Sequence, residues 1–261
     1  MAVGHAVTDR LIAIRGGAVT FRVRSAGSGA PLVYFHSFHE RTGWSPFLGR
    51  LAARYTVLAP LHPGSAGSTG VETLDDVLDL TLAYDELLGA LGLEAAHLVG
   101  HFFGAMVAAE VAAVFPRRAA RLVLVSPLGL WLDAAPPADV AILPQADLVS
   151  VLWNDAGSAA ARQWAAEPES DAAQIESVQQ RAAMAKFVWP ISDKGIHKRL
   201  HRIAAPTLLL WGDDDRVNPL PYAEEWQHRI KGAALSVLKG GHMVIHEAPD
   251  SAASAVDEFL R

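Results

Sequence analysis

The sequence predicts an α/β protein: a mostly parallel, doubly wound sheet of about eight strands with a helical insertion. Three observations lead there. Nearly continuous apolar runs of strand length recur at 31–36 (PLVYFH), 55–60 (YTVLAP), 121–126 (RLVLVS) and 206–212 (PTLLLWG), the mark of strands buried on both faces. Helix-length segments separate most of them, the alternation that builds a parallel sheet. The rhythm breaks once, between about 128 and 202, where no strand-like run appears. A chain of 261 residues suits one large domain with an inserted subdomain. The expected division is a core of 1–127 and 203–261 and a helical cap of 128–202.

Each element has its own signal. Residues 11–15 and 19–24 are short β-type runs split by Gly16-Gly17, a hairpin pattern. The buried strand 31–36 follows, then a helical spacing over 44–53 and the strand 55–60. A loop of small residues, 62–68, comes next. The amphipathic run 73–91 reads as a helix capped by Thr73, with Asp75 and Asp76 suiting its N-terminal dipole and Gly92 its end. Strand 95–100, the Ala- and Val-rich helix 104–115 and strand 121–126 complete the first half. The insertion carries Trp131, Trp153, Trp164 and Trp189 among helical runs such as 171–187. Strand 206–212, helix 219–230, strand 234–239, the turn Gly240-Gly241-His242 and a last helix 249–260 close the chain.

Composition narrows the function classes. A net charge of −6 with mixed signs argues against nucleic-acid or anionic-membrane partners, which favour a basic stripe. The absence of cysteine excludes disulfides, thiolate metal sites and a Cys nucleophile. Residues 1–10 lack a basic region followed by an apolar run, and no stretch is long and apolar enough to span a bilayer. The expectation is a cytoplasmic protein that needs no cofactor and no metal.

The chemistry gathers at strand ends, where ligands bind in open parallel sheets. Gly100-His101-Phe102-Phe103-Gly104 follows one strand and opens a helix. That is the G-x-S-x-G nucleophile elbow, in which the middle residue is pushed into the site on a sharp turn. Both glycines are present, but the middle residue is Phe102, which has no nucleophilic atom. Asp213-Asp214-Asp215 follows a later strand and His242 the next, in the chain order elbow, acid, base. An acid there would hold the imidazole, and the His would move protons. His36-Ser37 lies where an oxyanion loop would lie, and the N–H of Phe103 is a second candidate donor.

The motifs PLVYFHSF, LAPLHPGSAGS, LVGHFFGAMVAAEVAAVFP, RLVLVSPLG, APTLLLWGDDDRVNP and GGHMVIHEAP stand in an order that resembles the α/β-hydrolase-fold superfamily. The likeness is to its capped esterase, epoxide-hydrolase and C–C-bond-hydrolase branch and covers nearly everything outside the cap. The resemblance implies an α/β-hydrolase fold with Asp215 as triad acid, His242 as triad base, and Phe38 and Phe103 as backbone oxyanion donors. It also places Phe102 at the nucleophile and Ser37 where a Gly is usual.

Of two functions the first is favoured, because the Asp215–His242 pair and the oxyanion loop stand together in full order. One is an enzyme without a covalent intermediate, with His242 and Asp215 as a general-base pair acting on a small apolar carbonyl compound. Ester or C–C hydrolysis, or lyase or isomerase chemistry, would suit it. The other is an inactive hydrolase-like protein that binds a small apolar or aromatic molecule, with Phe102 in the pocket floor and Ser37, Phe38, Phe103, His36 and His101 around it. A metal centre on His36, His39, His101, His242 and His246 is a third possibility, since imidazoles suit several transition metals.

Overall fold

The computed structural model describes residues 6–41, 43–140, 143–166, 170–190 and 192–261. In chain order the first half holds β1 (Thr8–Ile14), β2 (Val19–Ala26), β3 (Ala30–Phe35), α1 (Pro46–Leu51), β4 (Tyr55–Pro60), α2 (Val77–Ala90), β5 (Ala96–His101), α3 (Phe103–Val114) and β6 (Ala119–Val125). The second half holds α4 (Gln145–Leu152), α5 (Ala159–Ala165), α6 (Asp171–Val188), β7 (Thr207–Gly212), α7 (Leu220–Arg229), β8 (Ala234–Leu238), α8 (Val244–Glu247) and α9 (Pro249–Leu260). One sheet takes the order β1-β2-β4-β3-β5-β6-β7-β8. Strand β2 pairs antiparallel with β1 and β4, and every pairing from β4 to β8 is parallel. The parallel sheet is the one the alternation predicts, and the whole is an α/β-hydrolase fold, as the resemblance implies.

The continuous apolar runs are explained by helices on both faces. Val33, Phe35, Leu98, Leu122 and Leu124 pack with α2 and α3, while Leu32, Tyr34, Val99, Val123 and Val125 pack with α1 and α9. The helical starts follow local chemistry. Ser45 caps α1 by accepting from the Leu48 N–H at 3.3 Å, with Pro46 in the first turn. Helix α2 begins at Val77 and not at Thr73. The cap is Asp76, whose Oδ1 accepts from the Asp79 N–H at 2.9 Å, while the Thr73 hydroxyl is spent on Gly70 O at 2.7 Å in a preceding 3₁₀ turn.

Between β6 and β7, the described residues form α4, α5 and α6 and no strand. This segment is tied to the loop after β3. Trp164 Nε1 donates to His39 O at 2.6 Å, Arg41 Nη2 donates to Trp164 O and Ala166 O at 2.9 Å each, and Gln180 Nε2 donates to Glu40 O at 3.2 Å. Among the described residues no helix is long and apolar enough to cross a membrane.

Candidate active site

The strand ends of β3, β5, β7 and β8 deliver the site. At β5, the chain turns sharply into α3, and two glycines allow it by leaving room. A Cβ on Gly104 would lie 2.1 Å from Phe35 O, and one on Gly100 would lie 2.6 Å from Ala105 Cα. Phe102 sits between them at φ +50° and ψ −108°, a conformation that side chains other than glycine adopt at a cost of about 1–3 kcal/mol. The surroundings hold it there. Its N–H donates to Val125 O at 2.9 Å, and its carbonyl accepts from Met106 N at 3.0 Å and Leu128 N at 3.1 Å.

Of the three aspartates after β7, Asp215 meets His242. His242 Nδ1 donates to Asp215 Oδ2 at 2.9 Å, and both side chains are fully buried. Asp215 Oδ1 also accepts the N–H groups of Val217 and Asn218, at 2.9 and 2.8 Å, which fixes the carboxylate. Asp213 instead accepts from Gly240 N at 2.9 Å and Asp214 pairs with Arg216. A carboxylate only accepts, so Nδ1 carries the hydrogen and Nε2 presents a lone pair. That Nε2 is buried and has no hydrogen-bond partner. Burial holds the His242 imidazole below its ordinary pKa, against the opposing pull of Asp215.

The ring of Phe102 packs edge-to-face on His242, centroids 4.4 Å apart. On its other sides it meets Phe38 at 5.3 Å and His39 at 6.0 Å. A cavity of about 560 Å³ lies beyond. Phe38, His39 and Phe102 line it from the core, and Leu128, Trp131, Val140, Leu148, Val178 and Val188 supply most of its apolar wall. His242 does not line it. Polar groups in the lining include His39, Arg181 and Ser192, and both His39 Nε2 and Ser192 Oγ are buried without a partner. Burial pushes the His39 imidazole well below its usual pKa, so it faces the cavity neutral.

The remaining predicted site residues fall outside the cavity lining. Ser37 is buried, its N–H donating to Glu40 Oε1 at 2.8 Å and its Oγ accepting from His39 N at 3.2 Å. His36 is locked against His62: its Nε2 accepts the His62 N–H at 3.1 Å, and its Nδ1 donates to Ser37 O at 3.1 Å. These bonds turn the ring away from the cavity. His101 contacts Glu40 and the His242 carbonyl. Phe103 is buried against His62 and Phe187. Its N–H opens α3, where a helix offers no internal acceptor. Of the five imidazoles considered for a metal, His101 and His246 come together, joined by Glu40. Reading the sequence passes over Glu40 and brings in His39 only as a candidate metal ligand. The closeness of both to the paired motif His36-Ser37 was the available signal.

Comparison with known proteins agrees with this architecture. The sequence profile described as "Alpha/beta hydrolase family" matches residues 27–255. A 2-hydroxy-6-oxo-6-phenylhexa-2,4-dienoate hydrolase of Comamonas testosteroni is 27% identical over 90% of this chain and 89% of its own length. An uncharacterised protein of Mycobacterium tuberculosis is 25% identical over 95% of this chain and 79% of its own. Among solved structures, a serine hydrolase involved in carbazole degradation superposes with a TM-score of 0.80 at 20% identity, covering 98% of this chain and 99% of that one. The 2-hydroxy-6-oxo-6-phenylhexa-2,4-dienoate hydrolase of Rhodococcus sp. strain RHA1 superposes with a TM-score of 0.78 at 20% identity, covering 98% of this chain and all of that one.

Proposed function

Because the chain belongs to the alpha/beta hydrolase family, we propose that it holds a small apolar or aromatic molecule in its cavity without forming an acyl-enzyme. Residues 128–202 act as the cap over that cavity. The observation that supports this reading is the Phe102 ring, which lines the cavity and packs edge-to-face on His242, itself outside the lining. A ligand seated on Phe102 touches an aromatic floor and not His242. The apolar wall favours a hydrophobic body, and His39, Arg181 and Ser192 favour one carbonyl or carboxylate group at its edge. The phenyl-bearing dienoates named for the related hydrolases have that shape and chemistry. Nothing in this pocket suits nucleic acid or a lipid surface.

A second reading is favoured by one observation: the Asp215–His242 pair is intact and its Nε2 is unpartnered. With the Phe102 ring rotated aside, His242 would act as general base on water or substrate. The N–H groups of Phe38 and Phe103 would then stabilise the developing oxyanion. One experiment separates the two. Aromatic carboxylates, esters and ring-cleavage products are screened by thermal shift and for turnover, on the natural chain and on His242→Ala. Ligand-induced stabilisation that survives in His242→Ala, with no turnover, supports the binding reading. Turnover that is lost in His242→Ala overturns it in favour of the second.

A further inference from the structure

Beside the Asp215–His242 pair, and apart from the cavity, three side chains from distant parts of the chain meet. Glu40 comes from the loop after β3, His101 from the end of β5 and His246 from α8. Glu40 and His101 are buried and the His246 side chain is 18% exposed. Their donor atoms all lie within 4.8 Å of one another. Glu40 Oε1 is 2.9 Å from His101 Nδ1, and Glu40 Oε2 is 3.4 Å from His246 Nε2. Two ligands each about 2.1 Å from a common ion stand about 3.0 Å apart at a right angle and about 3.4 Å apart at the tetrahedral angle.

The hydrogen bookkeeping sharpens this. His101 Nε2 faces His242 O at 3.1 Å. A carbonyl only accepts, so Nε2 carries the hydrogen, and a neutral ring then presents the Nδ1 lone pair to Glu40. Glu40 already accepts from the Tyr34 hydroxyl, 2.8 Å from each carboxylate oxygen, and from Ser37 N at 2.8 Å. That is how an ionised carboxylate is held. A lone pair facing a carboxylate at 2.9 Å calls for a cation. A proton on His101 would satisfy that pair and leave His246 Nε2 as it stands, close to Glu40 but without a hydrogen bond. A metal ion uses all three groups.

We propose that Glu40, His101 Nδ1 and His246 Nε2 bind one divalent first-row transition-metal ion. Two imidazoles and a carboxylate suit Zn²⁺, Fe²⁺ or Ni²⁺. The outer contacts are those a ligand set needs: His101 donates its second N–H to a backbone carbonyl, and Glu40 is oriented by Tyr34 and Ser37. The partly exposed His246 gives the ion its way in. Bound there, the ion cross-links the β3 loop, β5 and α8. Through the His101–His242 carbonyl contact it positions the His242 turn, and it takes no part in chemistry itself.

The test uses the tag-free chain, stripped with a chelator and dialysed against Zn²⁺ or Co²⁺. The expected result is one equivalent of Zn²⁺ retained per chain, visible d–d absorption with Co²⁺, and a rise in melting temperature on Zn²⁺ addition. His246→Ala, a partly exposed site whose loss the fold should tolerate, weakens metal binding by more than about tenfold with an unchanged circular-dichroism spectrum. Glu40→Gln weakens it too, whereas His201→Ala, an exposed histidine elsewhere, does not. Failure of the natural chain to retain stoichiometric metal overturns the site. So does equal retention by His246→Ala.

Discussion

Truncating Phe102 to Ala removes a ring that lines the cavity and packs on His242. The side chain is 1% exposed and meets His242, Phe38 and His39 at 4.4, 5.3 and 6.0 Å. Buried Phe→Ala changes cost about 3–5 kcal/mol, the spread depending on how much empty volume is left behind. Phe102 already borders a cavity, so the new volume merges with existing space and most other walls keep their packing. That places the cost near the low end, about 3 kcal/mol. The positive φ offers no relief, because Ala is strained there as Phe is. Phe102→Gly loses the same ring but is at ease at φ +50°, so it is expected to be about 1 kcal/mol more stable than Phe102→Ala. Urea unfolding followed by tryptophan fluorescence reads both differences. At about 2–4 °C per kcal/mol, the Ala variant melts about 6–12 °C lower. A loss below about 1 kcal/mol would refute the packing of the ring on His242, and with it the sealed base.

Two other consequences are open to measurement. Gly104→Ala places a methyl 2.1 Å from Phe35 O and 2.6 Å from His36 O; both are backbone atoms, so the cost should reach at least the upper end of overpacking, about 3 kcal/mol. Urea midpoints check this, and a loss under about 0.5 kcal/mol contradicts the close approach of α3 to β3. His36, His39, His62 and His242 are all held below the ordinary imidazole pKa, chiefly by burial. The unfolded chain therefore binds more protons than the folded one once the pH drops through about 6.5. Stability is full above that value and falls as the solution is acidified, by up to about 1.4 kcal/mol per pH unit for each histidine involved. A urea midpoint that stays flat from about pH 7.5 to 5.5 contradicts their burial as neutral rings.

The sheet was legible because its strands are buried on both faces. Runs such as YTVLAP and RLVLVS can hardly be anything else, and the helices between them announce parallel crossovers. That one of the aspartates after β7 would meet His242 was legible from chain order at strand ends, and in the structure it is Asp215. The α2 start was misplaced by one turn because Thr73 and Asp76 both cap well in isolation, and the Thr73 hydroxyl is taken up locally by Gly70 O in a 3₁₀ turn. Three features lie beyond one-dimensional reading. Glu40 gains meaning only from His101 and His246, 61 and 206 residues away, which the fold carries to it. Phe102 is an aromatic residue where the resemblance implies a nucleophile, but its packing on His242 depends on the direction of a ring. His39 faces the cavity, and His36 turns away, because of bonds to Ser37 and His62 that spacing does not encode.

The central claim is that Phe102 alone separates an otherwise assembled acid–base pair from the cavity. Labelling with a serine-directed fluorophosphonate probe tests it most directly, on the natural chain, on Phe102→Ser and on Phe102→Ser combined with His242→Ala. The expected result is no labelling of the natural chain, labelling of Phe102→Ser, and its loss in the double variant. Labelling of the natural chain, or a folded Phe102→Ser that stays unlabelled, would contradict the claim.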